Sequence, residues 1–315
     1  MKESYLKILI VGQGIIGTIY GWALTLAGLD VVHYVRKGTM NPEDGVAMDV
    51  LDERKGYQKH NQTKYQLKTT EKLDSSSDFD LVIVPTNWIQ TQDALKEVAP
   101  KCPNAFFFIL TSNWVGTDPF DSVLRKDQYI LGYPDGGGTL KNGAYWVDIG
   151  PEIHIAASTP ENQKGFDAIK SVFNQANIKL DIQENMLHWL WVHNAGSLPI
   201  MVAYQKHKDI DAYLNDKELL KKSFLATREC LDLCAKRGAS SGKYPEVSAF
   251  KLPLPLLIPI FKRNFKHNES MQRYTAHASR VPIEDIRQNY NDILKTAEEY
   301  KLDMPNFKEL GALLQ

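Results

Sequence analysis

The glycines of Lys7-Ile-Leu-Ile-Val-Gly-Gln-Gly-Ile-Ile-Gly17 have the spacing and the surroundings needed to hold a phosphate group. An apolar run, Ile8 to Val11, reads as a short buried strand, and Ile15, Ile16, Tyr20, Ala23 and Leu24 mark the apolar face of a helix that follows. Between them Gly12 permits a tight turn, Gly14 lets a pyrophosphate approach the backbone, and Gly17 lets the helix pack close to the strand. The free N–H groups at the helix N-terminus, where the macrodipole favours negative charge, complete the cradle. The candidate binding residues are therefore Gly12, Gln13, Gly14, Ile15, Ile16 and Gly17.

A second position qualifies that chemistry. Gly28 is a natural end for the first helix, and Asp30-Val-Val-His-Tyr-Val-Arg36 reads as the next strand. In dinucleotide folds an acidic residue at the end of this strand accepts from the ribose 2′-hydroxyl of NAD, whereas arginine accommodates the 2′-phosphate of NADP. Here the residues are Arg36 and Lys37, two cations able to form charge-assisted bonds to a dianion. The expected cofactor is NADP(H). Asn87, Gln90, Asn113 and a glycine loop at Gly136–Gly138 all fall at the carboxyl ends of later strands, where ligands of such sheets bind.

The elements that must position these residues alternate. Asp80-Leu-Val-Ile-Val-Pro85, Ala105 to Leu110, Tyr129 to Gly132, Glu152 to Ala156 and Lys179 to Gln183 read as strands. Helices are expected through Val98 and from Asn162 to Ala176, and residues 39–78 look less regular, with an edge strand from Lys64 to Thr69. That order predicts an α/β fold with a doubly wound, mostly parallel sheet. From Glu184 the alternation stops, and helices are expected over 184–206, 211–237, 283–300 and 305–314. The predicted organisation is a Rossmann-like domain over 1–183 and an all-helical domain over 184–315. Leu252-Pro-Leu-Pro-Leu-Leu-Ile-Pro-Ile-Phe261 carries three prolines, which oppose a regular helix, and reads as an irregular connector or a dimer contact.

Composition limits the partners. The 315 residues are 43% hydrophobic and 24% charged, with a net charge of −1. That balance gives no general attraction for nucleic acid or an anionic membrane. No apolar run is long enough for a membrane span or a signal peptide. Cys102, Cys230 and Cys234 show no metal-ligand spacing, and a reducing, cytoplasmic location is expected.

The order of parts resembles the ketopantoate reductase family over nearly the whole chain. The likeness rests on the glycine loop, the Tyr34-Val-Arg36 strand end, the Asn87–Thr91 loop, Ser112-Asn-Trp-Val-Gly116 and Gly138-Thr-Leu-Lys-Asn-Gly143. It continues through Trp189–Pro199, Ser270-Met271 and the helix after Pro282. The resemblance implies an NADPH-dependent enzyme that reduces a 2-oxo acid to a 2-hydroxy acid, with a small-molecule carbonyl substrate and a possible homodimer through the helical domain. It makes Gly12 to Gly17 the phosphate loop, Arg36 the 2′-phosphate ligand and Asn113 a residue near the nicotinamide, with Gly138 on the cofactor side. A basic family position that helps to hold the cofactor is Asn87 here.

The catalytic pattern departs from the family. A lysine that serves there as general acid stands four residues before an asparagine; Asn194 matches the asparagine, and the residue four before it is Leu190. No lysine occurs between Leu180 and Gln205. A second family asparagine falls at Leu198, and the family glutamate falls at Pro282, two positions from Glu284. Asn194 and Ser270 remain as substrate hydrogen-bonders. His193, three residues after Leu190 on the same helical face, is the leading candidate acid, ahead of His188. Lys141, Lys251 and Arg273 are other cations that the fold could bring to the site. Two alternatives follow from the missing lysine: a non-catalytic NADP(H)-binding protein, or a related dehydrogenase acting on an imine or amino acid, whose substrate can arrive already protonated.

Overall fold

The computed structural model describes residues 6–39, 43–74 and 77–314. By their internal contacts they divide into two units, the first comprising residues up to Thr111, Thr117–Met186 and Arg273–His277. The second comprises Ser112–Gly116, Leu187–Gln272 and the residues from Ala278 onward.

The first unit is built on one sheet. In chain order its elements are β1 (Lys7–Val11), α1 (Ile15–Leu26), β2 (Asp30–Tyr34), β3 (Val46–Asp52), β4 (Lys59–Tyr65), β5 (Thr69–Thr70), β6 (Leu81–Val84) and α2 (Trp88–Val98). They continue as β7 (Phe106–Leu110), a single turn α3 (Asp118–Asp121), β8 (Tyr129–Lys141), β9 (Ala144–Ala156), α4 (Gln163–Gln175) and β10 (Lys179–Gln183). The strand order is β4-β3-β9-β8-β7-β6-β1-β2-β5, with β10 on β9. All pairings are parallel except β3 with β4 and β8 with β9. Apart from Lys7 at the start of β1, the central strands β1, β6 and β7 are apolar at every position because both faces are covered. Ile8, Ile10, Leu81, Ile83, Phe108 and Leu110 join one core with Ile19, Tyr20 and Ala23 of α1 and Phe166, Ile169 and Phe173 of α4. Leu9, Val82 and Phe107, which alternate with them, are equally buried on the opposite face.

Three features differ from the sequence-based expectation. The described part of residues 39–78 holds β3 and β4, paired antiparallel from Val46–Tyr65 to Asp52–Lys59, and the short β5; the edge strand expected from Lys64 to Thr69 is divided between β4 and β5. Gly136–Gly138 is no loop: it lies inside β8, which pairs with β9 along its length apart from an irregularity between Pro134 and Gly136. Gly136 and Gly138 have φ of +142° and +141°. A Cβ on Gly138 would lie 2.3 Å from the Trp146 carbonyl oxygen, and one on Gly137 would meet Tyr274 and His277. Here glycine serves close backbone approach.

The second unit is helical: α5 (Met186–Tyr204), α6 (Ile210–Asn215), α7 (Lys217–Lys236), α8 (Leu254–His267), α9 (Glu269–Ala276), α10 (Ile283–Glu299) and α11 (Pro305–Leu310). Met186 and the last turn of α9 group with the first unit. Leu254–His267 is a regular helix, contrary to the reading of its prolines. Pro253 is the N-cap and Pro255 lies in the first turn, where an amide donor has no partner to lose. Pro259 alone interrupts the ladder. No described helix is long and apolar enough to cross a membrane.

Arg273, only 1% exposed, is enclosed by the first unit. Its Nη1 donates to the carbonyls of Asp49 (2.6 Å) and Val147 (2.8 Å), and its Nη2 to the Asp49 carboxylate at 2.8 Å. The guanidinium also lies 4.8 Å from the Trp146 ring centroid. It is therefore a structural pin across β3 and β9. Arg273→Met leaves a carboxylate and two carbonyls without their donor, and is expected to cost about 3 kcal/mol. Urea unfolding of the variant against wild type measures this; an unchanged midpoint would show the pin to be dispensable.

Candidate active site

Gly12 leaves β1 at φ +89°, its N–H donating to the Tyr34 carbonyl at 2.8 Å. Gly14 is the N-cap of α1 and offers no capping side chain, and the first turn of the helix carries no carboxylate. A Cβ on Gly14 would touch nothing within 4 Å, so the space in front of the helix N-terminus is open. At Gly17 a Cβ would lie 3.1 Å from the Gly12 carbonyl oxygen, 3.3 Å from Ile10 and 3.4 Å from Pro85. The three glycines thus serve a turn, an open approach and a close packing in the order their spacing suggests. Ile15 and Ile16 turn their side chains into the core, which leaves backbone N–H groups as what they can offer a ligand.

The loop is braced from behind by residues that the motif does not contain. The Gln13 carbonyl accepts from the Tyr145 hydroxyl (3.1 Å) and from Thr18 Oγ1 (3.2 Å), while Gln13 Oε1 is buried without a hydrogen-bond partner. His33 is fully buried, with Nδ1 2.9 Å from the Gly12 carbonyl and Nε2 3.0 Å from the Tyr65 hydroxyl. A carbonyl can only accept, so Nδ1 carries the proton. Burial holds the imidazole pKa below its ordinary value, and the neutral Nε2 then accepts from Tyr65. A histidine at an inward position of β2, between two valines, was the available signal for this brace.

Arg36 and Lys37 are exposed beyond the end of β2. Their turn is closed by Thr39, which donates to the Arg36 carbonyl from its amide and its hydroxyl. Glu71, just after β5, accepts from the Gly38 N–H at 2.8 Å. The sequence reading had no acidic group at this loop. Asn87 caps α2, its Oδ1 accepting from the Gln90 N–H at 3.1 Å, and the Gln90 side chain is exposed. Gly138 sits within the β8–β9 pairing, opposite Val147.

In the second unit Asn113 is fully buried, and its amide spans Gly116: Oδ1 accepts from the Gly116 N–H and Nδ2 donates to the Gly116 carbonyl. It orders the Ser112–Gly116 loop. Trp114, 2% exposed, donates from Nε1 to Thr296 Oγ1 at 2.8 Å. On α5, Leu190, Asn194 and Leu198 follow at one-turn intervals and are all buried, Leu190 at 1% exposure and Asn194 at 7%. Position 190 is core, and a lysine there would need a different interior. The Asn194 Nδ2 has no hydrogen-bond partner. His193 stacks on Trp189, centroids 4.9 Å apart and planes 11° from parallel. His188 packs at 5.1 Å from Trp191. Burial lowers the His188 pKa, and the nearby charges of Arg237 and Lys243 add to the effect. Ser270 lies in the first turn of α9.

The cation that the sequence reading missed is Arg237, at the C-cap of α7. Its guanidinium carbon lies 3.5 Å from the Trp191 ring centroid and 4.7 Å from that of Trp114, and Nη2 donates to the Trp114 carbonyl at 3.1 Å. Of the cations considered from sequence, Arg273 is the pin already described. Lys141 is exposed and lies over Trp146 at 4.7 Å, and Lys251 is exposed.

A doubly wound sheet whose first helix presents an open, uncapped N-terminus has the architecture of dinucleotide-binding α/β folds, and a helical unit follows it in sequence. Residues 8–142 match the family described as Ketopantoate reductase PanE/ApbA. The chain is similar to the 2-dehydropantoate 2-reductase of Pyrococcus horikoshii, 27% identical over 322 aligned positions that cover 98% of this chain and 97% of the relative. Its match to the Pyrococcus abyssi enzyme of the same name is 25% identical over 195 residues and spans 59% of each chain. The fold is shared with 2-dehydropantoate 2-reductase from Geobacter metallireducens, at TM-score 0.71, 15% identity and coverage of 98% and 99%. It is shared also with a D-mandelate dehydrogenase in complex with NADH and anilino(oxo)acetate, at TM-score 0.71, 15% identity and coverage of 98% and 97%.

The His33 brace has a pH signature. An imidazole whose folded pKa lies below its unfolded value contributes its full stability above the unfolded value, near 6.5, and loses it as pH falls below that point. His33→Gln removes two buried hydrogen bonds and is expected to cost about 1–3 kcal/mol at pH 7.5. In urea melts the gap between wild type and variant should narrow toward pH 5. A gap that stays constant would mean that His33 is not kept neutral by the fold.

Proposed function

We propose that this protein is an NADPH-dependent oxidoreductase that reduces a 2-oxo acid to a 2-hydroxy acid. The observation that carries the reading is the open N-terminus of α1 behind Gly14, without capping side chain or carboxylate. The residues fit a dinucleotide: Gly12–Gly17 would hold the pyrophosphate, and Arg36 and Lys37 the 2′-phosphate of NADP(H). The position of Glu71 at the same loop makes the preference over NAD(H) a matter for direct titration. When bound, the nicotinamide supplies the hydride. The chain must then hold the carbonyl substrate and furnish a proton to the developing alkoxide.

Asn194, with its buried and unpartnered amide, and Ser270 are the proposed substrate hydrogen-bonders. His193 is the proposed proton donor. Trp189, Trp191 and Trp114 suit a substrate bulkier and less polar than ketopantoate. A homodimer through the helical unit is part of the proposal: Leu256 and Ile260 of α8 are exposed, and a ketopantoate reductase of similar fold from Staphylococcus aureus is dimeric.

The buried Leu190 favours a second reading, an NADP(H)-binding protein without this turnover. NADPH oxidation followed by absorbance, with ketopantoate and aromatic or branched 2-oxo acids, separates the two. We expect turnover that favours the bulkier acids, lowered at least 10-fold in His193→Ala and little changed in His188→Ala. NADPH binding without turnover across the panel would leave the second reading. Turnover only when an amine is added would move the assignment to imine reduction.

A further inference from the structure

Arg237 is a half-buried guanidinium, and among the described residues no carboxylate pairs with it. Its two indole neighbours give cation–π attraction, and the Trp114 carbonyl takes one Nη2 hydrogen. Nη1 is buried and has no hydrogen-bond acceptor. The same condition recurs beside it. The Nε1 of Trp191, on the ring beneath the guanidinium, is buried without a partner, as is the Nδ2 of Asn194 one helical turn further along α5. A buried polar group left without a partner costs about 1–3 kcal/mol, so a group of them close together calls for an explanation. Here the three orphaned atoms are all donors, and one belongs to a cation. Lys243 adds positive charge, since it and Arg237 both act on His188, while the Glu299 carboxylate acts on Arg237 from nearby without forming an ion pair with it. A group that satisfies such a set must accept several hydrogen bonds and carry negative charge.

We propose that Arg237 Nη1, Trp191 Nε1 and Asn194 Nδ2 form an anion subsite that takes the carboxylate of the substrate. This rests on the reductase reading for the identity of the anion, while the donor set rests on the burial and missing partners of the three atoms and on the seat of Arg237 over Trp191. A carboxylate offers two oxygens and about four lone-pair directions, enough to engage all three donors. The planar guanidinium is held over Trp191, so its free edge is fixed before an anion arrives, and each donor is shielded from water, where charge-assisted bonds are strongest. Arg237 thereby restores to the second unit a cation that Leu190 does not provide. Its role is electrostatic, since a guanidinium does not give up its proton near neutral pH.

The test uses oxamate, a small analogue of a 2-oxo acid, titrated into the full-length protein. The indole N–H resonance of Trp191, assigned by its loss in Trp191→Phe, reports on the subsite. Wild type should show a saturable shift of that resonance, and Arg237→Met should weaken binding at least 10-fold while NADPH affinity is unchanged. Should Arg237→Met fail to fold, Arg237→Lys, which keeps charge but loses the planar fork, should weaken binding several-fold. Unchanged oxamate affinity in the variant that folds, or no binding by wild type, would overturn the subsite. Equal displacement of oxamate by inorganic sulfate would overturn its assignment to a carboxylate. Arg237-dependent oxamate binding without turnover of any 2-oxo acid would support the subsite and remove the reductase reading.

Discussion

The proposed phosphate site at the N-terminus of α1 depends on a loop that is fixed by residues from elsewhere in the first unit. The Gly12 carbonyl is held by His33 of β2, and the Gln13 carbonyl by Tyr145 of β9 and Thr18 of α1 itself. These bonds are made away from the open face at Gly14, so the amide groups on that face stay available. Preorganised donors cost nothing to orient when an anion arrives, which is the condition for strong electrostatic recognition. The arrangement reaches across the sheet, since Tyr65 of β4 and Thr25 of α1 complete the chain of bonds that starts at His33. The glycine spacing alone creates the possibility of a phosphate site. The buried polar chain behind it makes the site rigid.

The second unit poses the opposite problem. Its α5 face through Leu190, Asn194 and Leu198 is apolar apart from one amide, and position 190 is closed into the core. Charge enters from the end of α7, where Arg237 is held by two indoles and one carbonyl. The tryptophans therefore do more than fill volume. Trp114 is fixed by Thr296, which in turn donates to the Asp292 carbonyl one turn earlier on α10, so that four elements define where the guanidinium lies. A cation so placed suits the proposed anion subsite and would leave proton transfer to another group.

How much of this was legible in the sequence depends on whether the controlling interaction was local. The β1–α1 turn is local, and the turn at Gly12 and the close packing at Gly17 could be read directly. The mostly parallel sheet was legible for the same reason, because β6 and β7 and nearly all of β1 are compact apolar runs. Strand β4, Lys59-His-Asn-Gln-Thr-Lys-Tyr65, shows no apolar alternation because most of it is exposed at the sheet edge. Gly136–Gly138 imitated a loop because glycine marks both turns and close backbone approach, and only the neighbouring strand and α9 decide between them. The prolines of α8 misled for a related reason: their effect depends on position relative to the first turn. Arg273 and Arg237 look alike in sequence, each an arginine near the end of a helix. Asp49 lies 224 residues from Arg273, and Trp114 lies 123 from Arg237, so nothing local marks either partnership.

The proposed reaction carries a hydride from a bound nicotinamide to the carbonyl carbon of a 2-oxo acid. It is tested most directly by incubating the protein with NADPH deuterated at nicotinamide C4, in each stereochemical form, and an aromatic 2-oxo acid, followed by mass spectrometry of the product. The account predicts a 2-hydroxy acid that carries one deuterium at C2 from only one of the two forms. Unlabelled product from both forms, or cofactor that binds and is recovered unchanged with every acid, would contradict it.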